Sequence, residues 1–202
     1  MKKILAIAVI AVLTGGAGFA RAVVLKTTTD ANVIAVVLGK KITAAEKDQL
    51  NKLIFGALLE QYAKENKIEP TKEELDAFVN KLEETEKKLQ IDKEQIKGME
   101  EQTRAARLLI AQQFVKSWKI NKTLHAKYGG RVLFQQAGIE PLEAYRDFLK
   151  EQEKKGAFQI LDTQYEAGFW RYFTDETKLL SKEDSVKAFD TPWWMMEKPQ
   201  GK

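Results

Sequence analysis

His125 is the only histidine in this chain of 202 residues, and cysteine is absent. The side chains that most often carry proton transfer, nucleophilic attack and transition-metal binding are therefore nearly missing. A metal site would have to be built mainly from carboxylates, which suits neither zinc nor copper, so no metal and no cofactor are expected. His125 falls at the end of a long helical pattern, a position that suits histidine whether or not it does chemistry. The adjacent carboxylates Glu83 with Glu84, and Glu100 with Glu101, have the residue types of an acid and base pair. Neighbours in sequence diverge on a helix, however, and with lysines close by they read as solvated charge. EF-hand spacing, a phosphate-cradling glycine loop and a serine nucleophile motif are all lacking. No catalytic residue is assigned.

The side chains with a definable task are apolar. Phe114, Trp118, Tyr128, Phe134 and Trp170 are the candidate lining of a groove for extended apolar peptides, joined by Phe169, Tyr172 and Phe173; such rings serve equally as core. Trp193-Trp194-Met195-Met196 lies between Pro192 and Pro199, and the prolines predict an extended tail over 191–202. Methionine is adaptable at promiscuous surfaces. The tail has three open roles: cover for the protein's own groove, a dock for a partner or membrane interface, or part of the core.

These residues are positioned mainly by helices. Val33 to Leu38 is short and β-branched and predicts a strand, turned by Gly39-Lys40-Lys41. Thr43 and Glu46 form a capping box, after which Leu50, Leu53, Ile54, Ala57, Leu58, Gln61 and Tyr62 make one apolar stripe ending near Asn66. Pro70 breaks the chain, and Thr71 with Glu74 caps a second helix that should bury Leu75, Phe78, Val79, Leu82 and Leu89. Asp92 and Gln95, with Ile91 against Ile96, predict a third start. From there Ile96, Met99, Thr103, Ala106, Ile110, Gln113, Ser117, Ile120 and Leu124 alternate steps of three and four as far as Tyr128. Unbroken, that helix would be about 54 Å long, too long to be covered by a small domain, although Gly98 could loosen its first turns. Gly129-Gly130 ends it. A strand at 131–135, a helix from Pro141 to Lys155 and a stop at Gly156 follow. The strand at 131–135 is expected to pair with Val33–Leu38.

The first residues predict export. Met1-Lys2-Lys3, the apolar run Ile4 to Leu13 and Ala20-Arg21-Ala22 have the order of a signal peptide with cleavage near Ala22; retention as an anchor is the other reading. The apolar run is shorter than the about 20 residues a spanning helix needs, so no stable membrane span is expected after cleavage. Removing Lys2, Lys3 and Arg21 leaves 30 basic against 29 acidic residues. With the signs interleaved along each helix, nucleic acid is excluded as a partner.

Val36-Val37-Leu38-Gly39-Lys40-Lys41-Ile42-Thr43, then Leu53-Ile54, Leu58-Leu59 and Ala63-Lys64, then Ile68-Glu69-Pro70-Thr71 with Glu73-Glu74, resemble the strand, first helix, break and second helix of the N-terminal domain of SurA-type periplasmic chaperones. The match covers about a quarter of the chain and is largely capping grammar. Leu38 stands where the family usually has asparagine, which implies a different turn. The resemblance implies a helical module that holds unfolded outer-membrane or secreted clients, with the helix from Asp92 as its later element. Arg131-Val132-Leu133-Phe134, the helix after Pro141 and Lys154-Lys155-Gly156-Ala157-Phe158 are similar to the opening of a parvulin-type prolyl isomerase. Val132 replaces that family's first-strand histidine, a second histidine and the Gly-Gly-x-Leu-Gly segment are missing, and only about 45 residues follow Phe158. This half is read as degenerate.

The expectation is a mainly α-helical, SurA N-terminal-like protein with a long helix and a small two-stranded β element. Its parts would be a signal peptide (1–22), a helical domain (23–128), a degenerate parvulin-like or helical region (129–190) and the tail (191–202). Its expected work is noncatalytic binding of unfolded or nascent envelope proteins in the periplasm. A divergent peptidylprolyl isomerase and a helical adaptor for one envelope partner remain open, as does the oligomeric state.

Overall fold

The computed structural model describes residues 32–88, 100–135 and 138–196. The export segment, the helix start at Asp92 with Gly98, Leu89, and the last six residues of the tail lie outside them. The described chain is mainly helical. Among the described residues, no helix is long and apolar enough to cross a membrane.

The β-branched run forms β1 (Val33–Val37), which turns back at once as β2 (Lys40–Thr43), with Val37 opposite Lys40. The connection is Leu38-Gly39, at φ 51° and 79°. A type I′ turn needs two positive φ values, which glycine supplies freely and leucine does not. Thr43 then leads into a 3-10 turn over Ala44–Gln49, with the Glu46 carboxylate accepting from both the Thr43 N–H (3.0 Å) and its hydroxyl (2.9 Å). Helix α1 (Leu50–Glu65) buries Leu50, Ile54, Leu58 and Tyr62, four residues apart on one face. It ends in a Schellman motif, in which Ile68 N–H donates to Ala63 O (2.8 Å) and Lys67 takes the left-handed position at φ 54°. The predicted second capping box is complete: Thr71 N–H donates to Glu74 (2.7 Å) and Glu74 N–H to Thr71 Oγ1 (3.3 Å), opening α2 (Lys72–Lys88).

Helix α3 (Glu100–Tyr128) runs antiparallel to α2, since Glu74, Phe78 and Glu83 meet Lys119, Phe114 and Arg107 in turn. After it come β3 (Leu133–Gln135), β4 (Gly138–Glu140), α4 (Leu142–Lys154), β5 (Phe158–Ile160), α5 (Glu166–Thr174) and α6 (Lys182–Val186).

The strand pairing departs from expectation. β1 does not pair with 131–135; it is the centre of a three-stranded antiparallel sheet in the order β2-β1-β5, with Val37 opposite Phe158 and Ala35 opposite Ile160. β3 pairs instead with β4, Leu133 opposite Glu140 and Gln135 opposite Gly138. A neighbouring strand closes a short loop at little entropic cost, and the free edge of β1 is taken by β5, which follows α4. The signal for β5 is the apolar, polar, apolar alternation Phe158-Gln159-Ile160, whose burial runs the same way.

The main core draws on β1, β5, α1, α4, α5 and the last third of α3 through Ile120 and Leu124. Two smaller clusters stand beside it. One holds Phe78, Ala111 and Val115 between α2 and α3; the other holds Val132, Ile139, Ala188 and Phe189.

Candidate functional site

The α2–α3 seam is built from aromatic rings. Phe78 on α2 stacks on Phe114 on α3 at 5.9 Å, almost parallel. Onto this pair folds the C-terminal segment, which is not extended throughout as expected: Trp193–Met195 make one 3-10 turn between extended Pro192 and Met196. A two-tryptophan segment gains more by packing both rings on one surface than by staying in water. Trp194 sets its edge on Phe78 (5.1 Å) and Trp118 (5.6 Å), and Trp193 on Phe114 (5.7 Å). Trp193 also lies on the backbone at Gly138, where φ is 134° and an added Cβ would come within 2.9 Å of the indole nitrogen. The segment thereby joins the two smaller clusters, Trp194 belonging to one and Trp193 with Met196 to the other.

What holds it is side-chain packing. The backbone bonds of the turn are local, Met195 N–H to Pro192 O (2.8 Å) and Met196 N–H to Trp193 O (3.3 Å). Among the described residues no hydrogen bond ties Thr191–Met196 to another element, and none of these side chains is fully buried. Beneath, the Trp118 Nε1–H is buried with no acceptor among the described residues, and Lys122 Nζ lies 4.8 Å over the same ring.

Of the predicted lining residues, Phe114 and Trp118 meet in this seam; the other three lie elsewhere. Tyr128 packs on Phe148 and donates to Glu151 (2.7 Å). Burial first, then the Glu151 carboxylate, raise its phenol well above the ordinary range. Trp170 joins Phe158, Phe169 and Phe173 at the main core. Phe134 is half exposed on β3. Phe78 and the Trp193-Trp194 pair complete what the sequence reading left out of the lining.

The long stripe of α3 changes environment along its length. Ile120 and Leu124 are buried, but Ala106, Ile110, Gln113 and Ser117 are exposed, and beside them Leu109 keeps 70% of its surface. α2 covers a different face, that of Ala111 and Val115.

Of the residues weighed for chemistry, His125, Glu83 and Glu84 have structural partners. Nε2 of His125 lies 3.0 Å from Gly130 O and its ring 5.1 Å from Phe189, at the helix end. Glu83 and Glu86 both grip Arg107, and Glu84 pairs with Lys81 and Lys88. Among the described residues no group of three or more acidic or histidine side chains is placed to hold a metal ion. Val132, where the parvulin-like reading expected a histidine, is fully buried and donates its N–H to Ser185 Oγ (3.1 Å).

Two clefts flank the β1–β2 turn, of about 980 and 360 Å³, sharing Leu38 and Ala57 in their walls. None of the predicted lining residues reaches either of them.

No protein-family model matches the chain, nor does any curated protein or solved structure.

Proposed function

We propose that the protein is an exported, noncatalytic chaperone-like factor, similar in role to SurA-type chaperones, that takes extended apolar segments of unfolded or nascent envelope proteins on its α2–α3 pair. The observation that carries this reading is the occupant of the seam: a proline-bounded Trp-Trp-Met-Met segment, gripped through side chains with no backbone pairing. Contacts of that kind read apolar surface and not sequence, which is what broad, weak client binding requires. The export-type residues at the start of the chain fit the same compartment.

The test is dilution of a urea-unfolded outer-membrane β-barrel protein into buffer with and without the purified chain, followed by light scattering. Suppression that rises with chaperone ratio is the expected result; unchanged scattering at every ratio overturns the reading.

One observation favours the adaptor alternative: the exposed stripe Ala106, Ile110 and Gln113 has the three-and-four spacing that fits a partner helix. Photoreactive groups at Trp118, in the seam, and at Leu109, beside the exposed stripe, separate the two. Capture of many unfolded envelope proteins goes with the holdase, and one stoichiometric folded partner with the adaptor.

A further inference from the structure

We infer that Pro192–Met196 is an intramolecular competitor for the client site, so that the seam is closed in the resting protein and a client binds by displacing the segment. This inference rests on the function proposed above.

Three features support it. The segment covers the surface in question, since Trp193 and Trp194 lie on Phe114, Phe78 and Trp118. Its removal breaks no hydrogen bond to another described element, because its backbone bonds close on themselves. It is also short and firmly tethered: Ala188 and Phe189 are buried, so only the residues after them need move. A tether of this length holds the free segment near its site at an effective concentration in the millimolar range, enough for weak aromatic contacts to keep it seated. The ligand that displaces it shares its chemistry, an extended stretch with adjacent aromatic side chains and few charges. Pro192 and Met196 are extended (ψ 134° and 138°) on either side of the single 3-10 turn Trp193–Met195, so the bound shape is one local turn that a short unfolded stretch can adopt.

The experiment uses a fluorescent peptide reproducing Asp190–Met196 as probe, with two proteins: the full chain carrying 5-fluorotryptophan, and a chain ending at Phe189. The shortened chain is expected to bind the probe about tenfold more tightly than the full chain, the factor a seated tether would impose. Saturating probe should move the fluorine resonances of Trp193 and Trp194 in the full chain to the positions of a free peptide. If the shortened chain does not fold, full-length Trp194→Ala takes its place; the displacement experiment needs no variant. Equal affinities with unmoved resonances overturn the competitor, and so does absence of probe binding by either protein. Running both proteins in the barrel-protein assay keeps the two claims apart. Suppression by both to the same extent, with no displacement, discards the competitor and leaves the chaperone standing, whereas suppression by neither discards both.

Discussion

Two side chains occupy backbone positions that suit glycine or asparagine. Leu38 and Lys67 both have φ above 50°, where the Cβ of an ordinary residue meets the following carbonyl at a cost of about 1–2 kcal/mol. Leu38→Asn and Lys67→Gly should each stabilise the fold by about 1 kcal/mol, or about 2–4 °C in Tm for a chain of this size. Thermal melts of the single variants check this; an unchanged or lower Tm for both would show that the positions are not strained. A third residue carries a pH signature. The Glu151 carboxyl is held down to about 2 by hydrogen bonds from Lys155 first and then Tyr128, against an ordinary value of 4.5. Because the folded value is the lower one, its contribution is present above about pH 4.5 and fades as pH falls toward 2. Glu151→Gln should therefore differ most from the parent in urea midpoint above that window and converge with it below. At this scale the sequence was informative about local bonds: both capping boxes follow from threonine and glutamate three residues apart. It was silent on Lys67, because a positive φ at lysine is imposed by the buried Ile68 that follows and has no local signal.

Among the elements, α2 depends on its cap and α3 on its neighbours. Thr71→Ala removes the acceptor for Glu74 N–H and should cost about 1 kcal/mol, visible as faster amide exchange in the first turn of α2 with that of α4 unchanged. On α3, Leu109→Glu touches no packed surface, so its effect on stability should stay within about 0.5 kcal/mol. Leu109 lies on the face turned away from the seam, so under the proposed function suppression of aggregation should be unchanged; a loss of suppression would move the client surface to the exposed face of α3. The existence and end of α3 were legible from the alternation of threes and fours and from Gly129-Gly130. Which part of that stripe would be covered was not legible, since periodicity records that a helix has an apolar face and not what lies opposite. The strands show the same limit. Alternation marks each one, but β1 takes β5 as its second partner because α4 returns the chain to that edge, a consequence of packing.

For the molecule as a whole, separate apolar clusters imply separate stabilities. Phe148 is buried in the main core, and Phe148→Ala should cost about 3–5 kcal/mol and lower the single global midpoint. Phe78 serves only the α2–α3 cluster, so Phe78→Ala should raise amide exchange throughout α2 while the slowest amides of α1 and α4 keep their rates. A uniform rise across all helices would show one cooperative unit instead. The mainly helical class was readable from the capping and periodicity alone. The aromatic seam was half readable: Phe114 and Trp118 stood out on α3, but Phe78 looked like ordinary core and the tail could not be placed, because its contacts join residues far apart in sequence.

Of the chain's four tryptophans, three are linked through Trp194, whose ring lies 5.6 Å from Trp118 and 5.7 Å from Trp193 and steeply inclined to both. Transition dipoles this close couple, so the docked protein carries its own chiroptical signal in the far ultraviolet, overlapping the band normally read as helix content. Undocking Pro192–Met196 would change the circular dichroism of this protein with every α-helix intact.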